Sequence, residues 1–234
     1  MDYWSGTGAP DPSDDFWVAA KREYFRSALG LFENLVKGRR LLDIGGGVGF
    51  FAELALARGW DAYSLDTSPV ATENAAARIG PNRAISTLDG LLPDPVDVLT
   101  FWCVIAHTRD PRELMVESSR VLRPGGIIWI TTPNFDFQKP YSFSRTCFGK
   151  PIDFDAEDHV GHFTPRSLRS LLVASGFSAP IFHFCGVNET SLMGCSPSKL
   201  EVHGKRSWNC LTFTLAQLGL PNYMSELQAT ARLR

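Results

Sequence analysis

The sequence predicts an α/β fold in which a parallel sheet is covered by helices on both faces. Three observations carry this reading. Short apolar runs alternate with helix-period segments over residues 40–131, a glycine-rich turn follows the first run, and an acidic residue ends the second. Alternating strands and helices demand crossover connections, which lay helices over both faces of a sheet. Of 234 residues, 44% are hydrophobic and 21% charged, enough apolar material for a buried core. A formal net charge of -2 and the lack of any Lys/Arg run argue against nucleic acid or an anionic membrane surface as partner. The five cysteines, Cys103, Cys147, Cys185, Cys195 and Cys210, are scattered without metal spacing, so reduced thiols in a cytoplasm and no bound metal are expected. The opening MDYWSGTGAPDPSDD has neither the basic start nor the apolar run of a signal peptide. No apolar stretch approaches the roughly 20 residues that span a bilayer, and a soluble chain is expected.

The elements follow in order. Phe16, Trp17, Ala20, Tyr24, Phe25, Ala28, Leu29 and Phe32 recur at helical spacing, predicting an amphipathic helix over 15–36 that ends near Gly38. Residues 40–44 form a short strand, and 50–57 a helix before Gly59. A second unit repeats the plan, with a strand over 61–65, the turn Asp66-Thr67-Ser68-Pro69 and an alanine-rich helix over 70–79. Pro69 suits a first helical position, because its missing N–H has no partner there in any case. Further strands are predicted at 84–86, 96–102 and 126–131, with a helix over 111–121. Residues 134–154 are aromatic with little periodicity and are expected to form a long loop of the lid kind. A helix over 165–175, a strand over 178–184, a helix over 207–218 and a closing strand over 226–233 complete the chain. The alternation of the last predicts a half-buried strand. One domain results: a helical cap (1–38), a binding core (39–133), a lid or substrate loop (134–164) and a segment completing the sheet (165–234).

Asp43-Ile44-Gly45-Gly46-Gly47-Val48-Gly49 is the most informative segment. A strand turning sharply into a helix needs residues without Cβ where φ is positive or where a ligand presses on the backbone. Gly47-Val48-Gly49-Phe50-Phe51-Ala52 also fits the GxGxxA form of the dinucleotide fingerprint, and Asp66 suits the ribose hydroxyls of either ligand class. Asp43 discriminates by charge. A carboxylate at the strand end repels a pyrophosphate seated on the turn but attracts a ligand carrying a sulfonium and an ammonium. S-adenosylmethionine (SAM) is therefore favoured over NAD.

The motif DIGGGVG resembles motif I of class I SAM-dependent methyltransferases, an acid followed by glycines at every second position: Asp43, Gly45, Gly47 and Gly49. The likeness runs along nearly the whole chain and is greatest to the small-molecule methyltransferases of the ubiquinone-biosynthesis type. It implies a Rossmann-like, doubly wound seven-stranded sheet of order 3-2-1-4-5-7-6, with strand 7 antiparallel, an N-terminal helix and a lid insertion. It implies further that Asp43, Gly45, Gly46, Gly47 and Gly49 receive the cofactor, that Asp66 and Thr67 meet its ribose, that Asp89 and Gly90 in STLDG meet its adenine, and that Phe101 and Trp102 end the strand beneath it. The product would be S-adenosylhomocysteine (SAH). VDVLTFWCVIAHTRDP, VLRPGGIIWITTPN, DHVGHFTPRSLRSLLVASGF and SELQATARL resemble the family's later segments. One departure is Ala106, where the family often has an acid before its histidine, so that acid's role is not carried over.

Methyl transfer from a sulfonium is an in-line displacement in which positioning supplies most of the catalysis. A base is needed only for an acceptor protonated at working pH, such as a hydroxyl. His107, His159 and His162 are the candidates by pKa range, one at most serving, and His162 is preferred because it lies beside the expected lid. The acidic cluster Asp153, Asp155, Glu157, Asp158 and His159 is read as a solvated loop. Trp4, Trp17, Phe135, Phe137, Tyr141, Phe143 and Phe148 are candidates to wall an apolar acceptor pocket. The expectation is methyl transfer to a small-molecule hydroxyl by a monomer or homodimer. An NAD-dependent oxidoreductase and an inactive SAM-binding partner subunit stand as alternatives.

Overall fold

The computed structural model describes residues 15–88, 94–147, 149, 159–186 and 199–234, with the side chains of 15–20, 145 and 199–201 left aside. Its strands are β1 (Arg40–Ile44), β2 (Asp61–Leu65), β3 (Ala84–Ile85), β4 (Val96–Trp102), β5 (Leu122–Pro133), β6 (Ile181–Phe182) and β7 (Glu226–Arg232). Its helices are α1 (Asp15–Leu35), α2 (Phe50–Ala57), α3 (Pro69–Ile79), α4 (Pro111–Ser119), α5 (Phe135–Thr146), α6 (Pro165–Ala174) and α7 (Lys199–Gln217). The strands form one sheet in the order β3-β2-β1-β4-β5-β7-β6, parallel through β5 and antiparallel at both pairings of β7. The expected topology is therefore the observed one.

Local chemistry accounts for the helix starts. Ser68 caps α3 by accepting from Ala71 N, Asp110 caps α4 by accepting from Glu113 N, and Thr164 with Ser167 forms a reciprocal capping box on α6. Proline follows each cap, at 69, 111 and 165. Alternation along β4 divides the core. Val98 joins Phe32, Phe51 and Trp129 under α1 and α2, whereas Leu99 and Phe101 join Met115, Leu168 and Leu172 under α4 and α6.

Four expectations are corrected. Residues 135–146, expected as loop, form α5. Asn134 starts it, its carbonyl accepting from Gln138 N and its Oδ1 from Asp136 N, and Phe137 stacks on Tyr141 one turn on. Pro140 inside the helix breaks the sequence signal that would have announced it. β7 is buried at six of seven positions rather than on one face, because it lies between β5 and β6 with both faces covered. β6 is shorter than its apolar run, and α7 begins at Lys199, eight residues before the expected start, continuing through Gly204.

Candidate active site

Among the described residues, Asp43, the glycine turn, Asp66, His107 and Glu226 lie at the carboxyl end of the parallel strands, where ligands of open α/β sheets bind. On the β1 side, Gly45, Gly47 and Gly49 all take positive φ, at 68°, 55° and 78°. Two of these positions also leave no room. A Cβ at Gly45 would lie 2.5 Å from Val104 Cγ2, and one at Gly49 would lie 3.1 Å from Ala75 Cβ. The turn therefore needs glycine for conformation and for close approach together.

Asp43, at 1% exposure, accepts from Thr100 Oγ1 at 2.6 Å. Burial pushes its carboxyl up to about 7, with Asp66 adding to the rise and the Thr100 hydrogen bond and Lys21 opposing it. A buried acid whose charged form is disfavoured gains from a cation placed beside it. This observation fits a sulfonium or ammonium and disfavours a pyrophosphate. Asp66 directly follows β2 and accepts from Gly47 N and from Ser68 N, each at 2.9 Å. Its carboxylate thus ties the glycine turn to the start of α3 and has further lone pairs for ribose hydroxyls. Thr67 lies exposed next to it.

Phe101 and Trp102 part company. The Phe101 side chain is fully buried in the α4/α6 core, so only its backbone reaches the ligand end of β4. Trp102 faces the other way and packs against Tyr24, Phe25 and Phe51 at ring separations of 5.2, 4.6 and 4.9 Å. Asp89 and Gly90 lie outside the described residues, as do Trp4, Phe148 and the acidic cluster apart from His159. Trp17 falls in α1 without a described side chain. Among the described residues no His, Cys, Asp and Glu group is arranged to hold a metal, and no helix is long and apolar enough to cross a membrane.

The three histidines divide into a pair and a single. His107 ends a short 3-10 turn (Ile105–His107) after β4, and its ring lies 4.6 Å from that of His159. The Ala106 carbonyl holds the second segment in place by accepting from Val160 N at 2.8 Å and Gly161 N at 2.9 Å. His162 instead stacks on Phe135 at 4.8 Å, beyond the end of β5, and its side chain is exposed. Of the aromatic residues expected to wall a pocket, Phe137 and Tyr141 pack on each other with Phe137 near Trp208, and Phe143 is 50% exposed.

One group escaped the sequence reading. Glu226 at the start of β7 is only 7% exposed, and its Oε2 accepts from Tyr24 Oη at 2.7 Å and from Gln228 Nε2 at 3.2 Å. Its Oε1 accepts from Cys103 Sγ at 3.5 Å. Cys103 follows β4 at φ 60°, an uncommon conformation for a residue other than glycine. Its backbone N–H donates to the Thr131 hydroxyl at 3.0 Å and carbonyl at 3.1 Å. Burial raises the Glu226 carboxyl, opposed by its three donors, and raises Tyr24 well above the phenol range, while it lowers Lys21. A signal did exist: Glu226 and Gln228 alternate with apolar residues and so share one face of a strand in SELQATARL.

Residues 16–179 match the family described as Methyltransferase domain. A probable S-adenosylmethionine-dependent methyltransferase of Mycolicibacterium smegmatis is 29% identical over 182 residues, 74% of this chain and 67% of the relative. A mitochondrial ubiquinone biosynthesis O-methyltransferase of Schizosaccharomyces pombe is 27% identical over 141 residues, 56% of this chain and 48% of the relative. Matches to uncharacterized methyltransferases of Mycobacterium span only 42% of the relatives' length. The crystal structure of a SAM-dependent methyltransferase from Archaeoglobus fulgidus superposes with a TM-score of 0.56 at 19% identity, covering 93% of this chain and 97% of the other.

Proposed function

Because this chain belongs to the methyltransferase-domain family, we propose that it moves a methyl group from SAM to a small-molecule acceptor, with a hydroxyl oxygen as the receiving atom. SAM is the cofactor and SAH its product. When bound it supplies an activated methyl on a sulfonium. The observation that carries the reading is the buried Asp43 beside a glycine turn whose left-handed backbone and close packing against Val104 and Ala75 leave its N–H groups bare of side chains. In this reading Asp43 balances the positive charge, the turn's backbone receives the amino-acid end, and Asp66 takes the ribose hydroxyls. The remaining task of the protein is to hold the acceptor oxygen in line with the methyl and to exclude water, which suffices for most of the rate.

Oxygen as acceptor atom draws support from the O-methyltransferase name of the fission-yeast relative. The NAD alternative is disfavoured by the carboxyl of Asp43 at the strand end. In the cell, the reading places the chain in the cytoplasm acting on a small molecule. Calorimetry with SAM, SAH and NAD tests the core of it: the first two bind and NAD does not, and comparable NAD affinity overturns it. Transfer of isotope-labelled methyl to a hydroxylated acceptor pool tests the chemistry.

A further inference from the structure

We propose that Tyr24 and Glu226 form the acceptor subsite, in which an aromatic hydroxyl donates to Tyr24 Oη and its proton is relayed to Glu226. This rests on the methyl-transfer reading above and extends it to residues that no motif of the sequence marks. Three observations bring the pair to the right place. Tyr24 touches Trp102, the last residue of β4, with rings edge-on at 5.2 Å, so it stands beside the strand end on which the cofactor sits. Glu226 pairs in register with Pro133, the last residue of β5, at the same end of the sheet. A cavity of about 720 Å³ opens between α1 and α7, lined by Tyr24, Phe184, Cys185, Gly186, Arg206 and Leu211. Its lining mixes apolar and aromatic side chains with the Glu23–Arg206 ion pair at 3.0 Å, and Tyr24, 3% exposed, forms part of its wall while its hydroxyl is held by the buried Glu226 carboxyl.

The carboxyl is held from several sides. Gln228 Nε2 donates both to Glu226 Oε2 and to the Gly186 carbonyl, the latter at 2.6 Å, which links the cavity wall to the acid. Lys21 and Tyr24 from α1, Cys103 from the end of β4 and Lys205 from α7 are the charged or titratable groups that act on Glu226. A purely structural role would favour an apolar pair here, since a buried acid is costly to maintain and must be desolvated with its partners. In the proposed step the acceptor oxygen forms its bond to the methyl carbon and the electron pair of the carbon–sulfur bond stays on sulfur. The acceptor's proton passes to Tyr24 Oη as the Tyr24 proton passes to the Glu226 carboxylate, which later yields it to water. Charge is conserved throughout.

Catechol and its dimethyl ether are the probes, titrated calorimetrically into the SAH-saturated chain. The wild type binds catechol at least tenfold more tightly than the ether. Glu226→Gln and Tyr24→Phe each erase that preference while the SAH dissociation constant stays within twofold. With SAM, transfer to catechol falls about 10²- to 10⁴-fold in Glu226→Gln, the usual worth of a proton-accepting group, and the acidic limb of its pH profile disappears. A wild type that does not distinguish catechol from its ether overturns the proposal without any variant. So does a Glu226→Gln protein that keeps both preference and limb, or a limb lost in His162→Gln and kept in Glu226→Gln. A wild type that fails to bind SAH breaks the methyl-transfer reading instead.

Discussion

The two flanks of the sheet's carboxyl end are built differently. On the β1 and β2 side, the cradle proposed for the cofactor comes from residues 43–49 and 64–68, and much of it is made by backbone, as where Gly47 N donates to Asp66, although Asp43 also accepts from the distant Thr100 hydroxyl. On the β4, β5 and β7 side, the group proposed to face the acceptor joins Tyr24, Cys103 and Glu226, and the Tyr24–Glu226 hydrogen bond spans 202 positions. The first flank is a backbone device that tolerates little substitution. The second is a side-chain device, which another member of the fold can rebuild for another acceptor without disturbing the turn. That contrast gives a physical account of how one scaffold serves many substrates.

The largest expected effect tests the rigidity of the first flank. Gly45→Val places a β-branched side chain at φ 68° against Val104. It should cost about 2–4 kcal/mol of stability through backbone strain and overpacking together, and abolish measurable SAM binding. Denaturant unfolding and calorimetry check both, and a variant that binds SAM normally would show the cradle to be plastic. Asp66→Ala comes next. Loss of charge-assisted hydrogen bonds should weaken SAM by about 1.5–3 kcal/mol, and because Asp66 also braces Gly47 and Ser68, unfolding should shift with it. An unchanged dissociation constant in the folded variant would reduce Asp66 to a turn cap.

Smaller is the effect of pH. The Asp43 carboxyl sits at about 7 in the empty protein and is drawn to its charged form by the bound cation, so SAM binding expels a proton at low pH. Affinity should therefore fall as pH drops from 8 to 6, by about tenfold or ~1.4 kcal/mol. Stability of the empty chain runs oppositely. Because the folded value lies above the ordinary carboxylate value of 3.8, the fold holds the proton more tightly than the unfolded chain does, and stability is lost as pH rises from about 4 to about 7. Asp43→Asn should flatten both curves and stabilise the empty protein at pH 8 by about 1–3 kcal/mol, while weakening SAM. A variant that keeps the wild-type pH dependence of binding would move the effect to another group. Least affected is Phe143→Ser on α5, where half the side chain is already in solvent. A change in unfolding free energy within about 0.5 kcal/mol is expected, and a larger loss would give α5 a packed role on the acceptor side.

Most of the fold was legible in local pattern. Strands at 40–44, 61–65 and 96–102 and the helices that follow them are bounded by caps, prolines and glycines whose effects act within a few residues. The strand order entered through the likeness to a known family, since period and spacing say nothing about which strands are neighbours. α5 was missed because Pro140 and the aromatic residues around it obscure a helical period that Asn134 enforces once β5 delivers it. β7 was read correctly as a strand but as half-buried, because alternation records side-chain chemistry and not what covers each face.

The glycine turn proposed to hold the cofactor could be read from sequence for a plain reason. The demands on Asp43, Gly45, Gly47, Gly49 and Asp66 come from backbone geometry and charge within 24 residues, and local demands leave local signatures. Tertiary structure alone decided the rest. It turned Phe101 into the core and Trp102 toward α1, set His107 against His159 while His162 went to Phe135, and buried Glu226 under Tyr24. A glutamate, a tyrosine and a cysteine scattered through a chain carry no mutual signal, because the low dielectric and the hydrogen bonds that give them chemistry exist only once distant strands have brought them together.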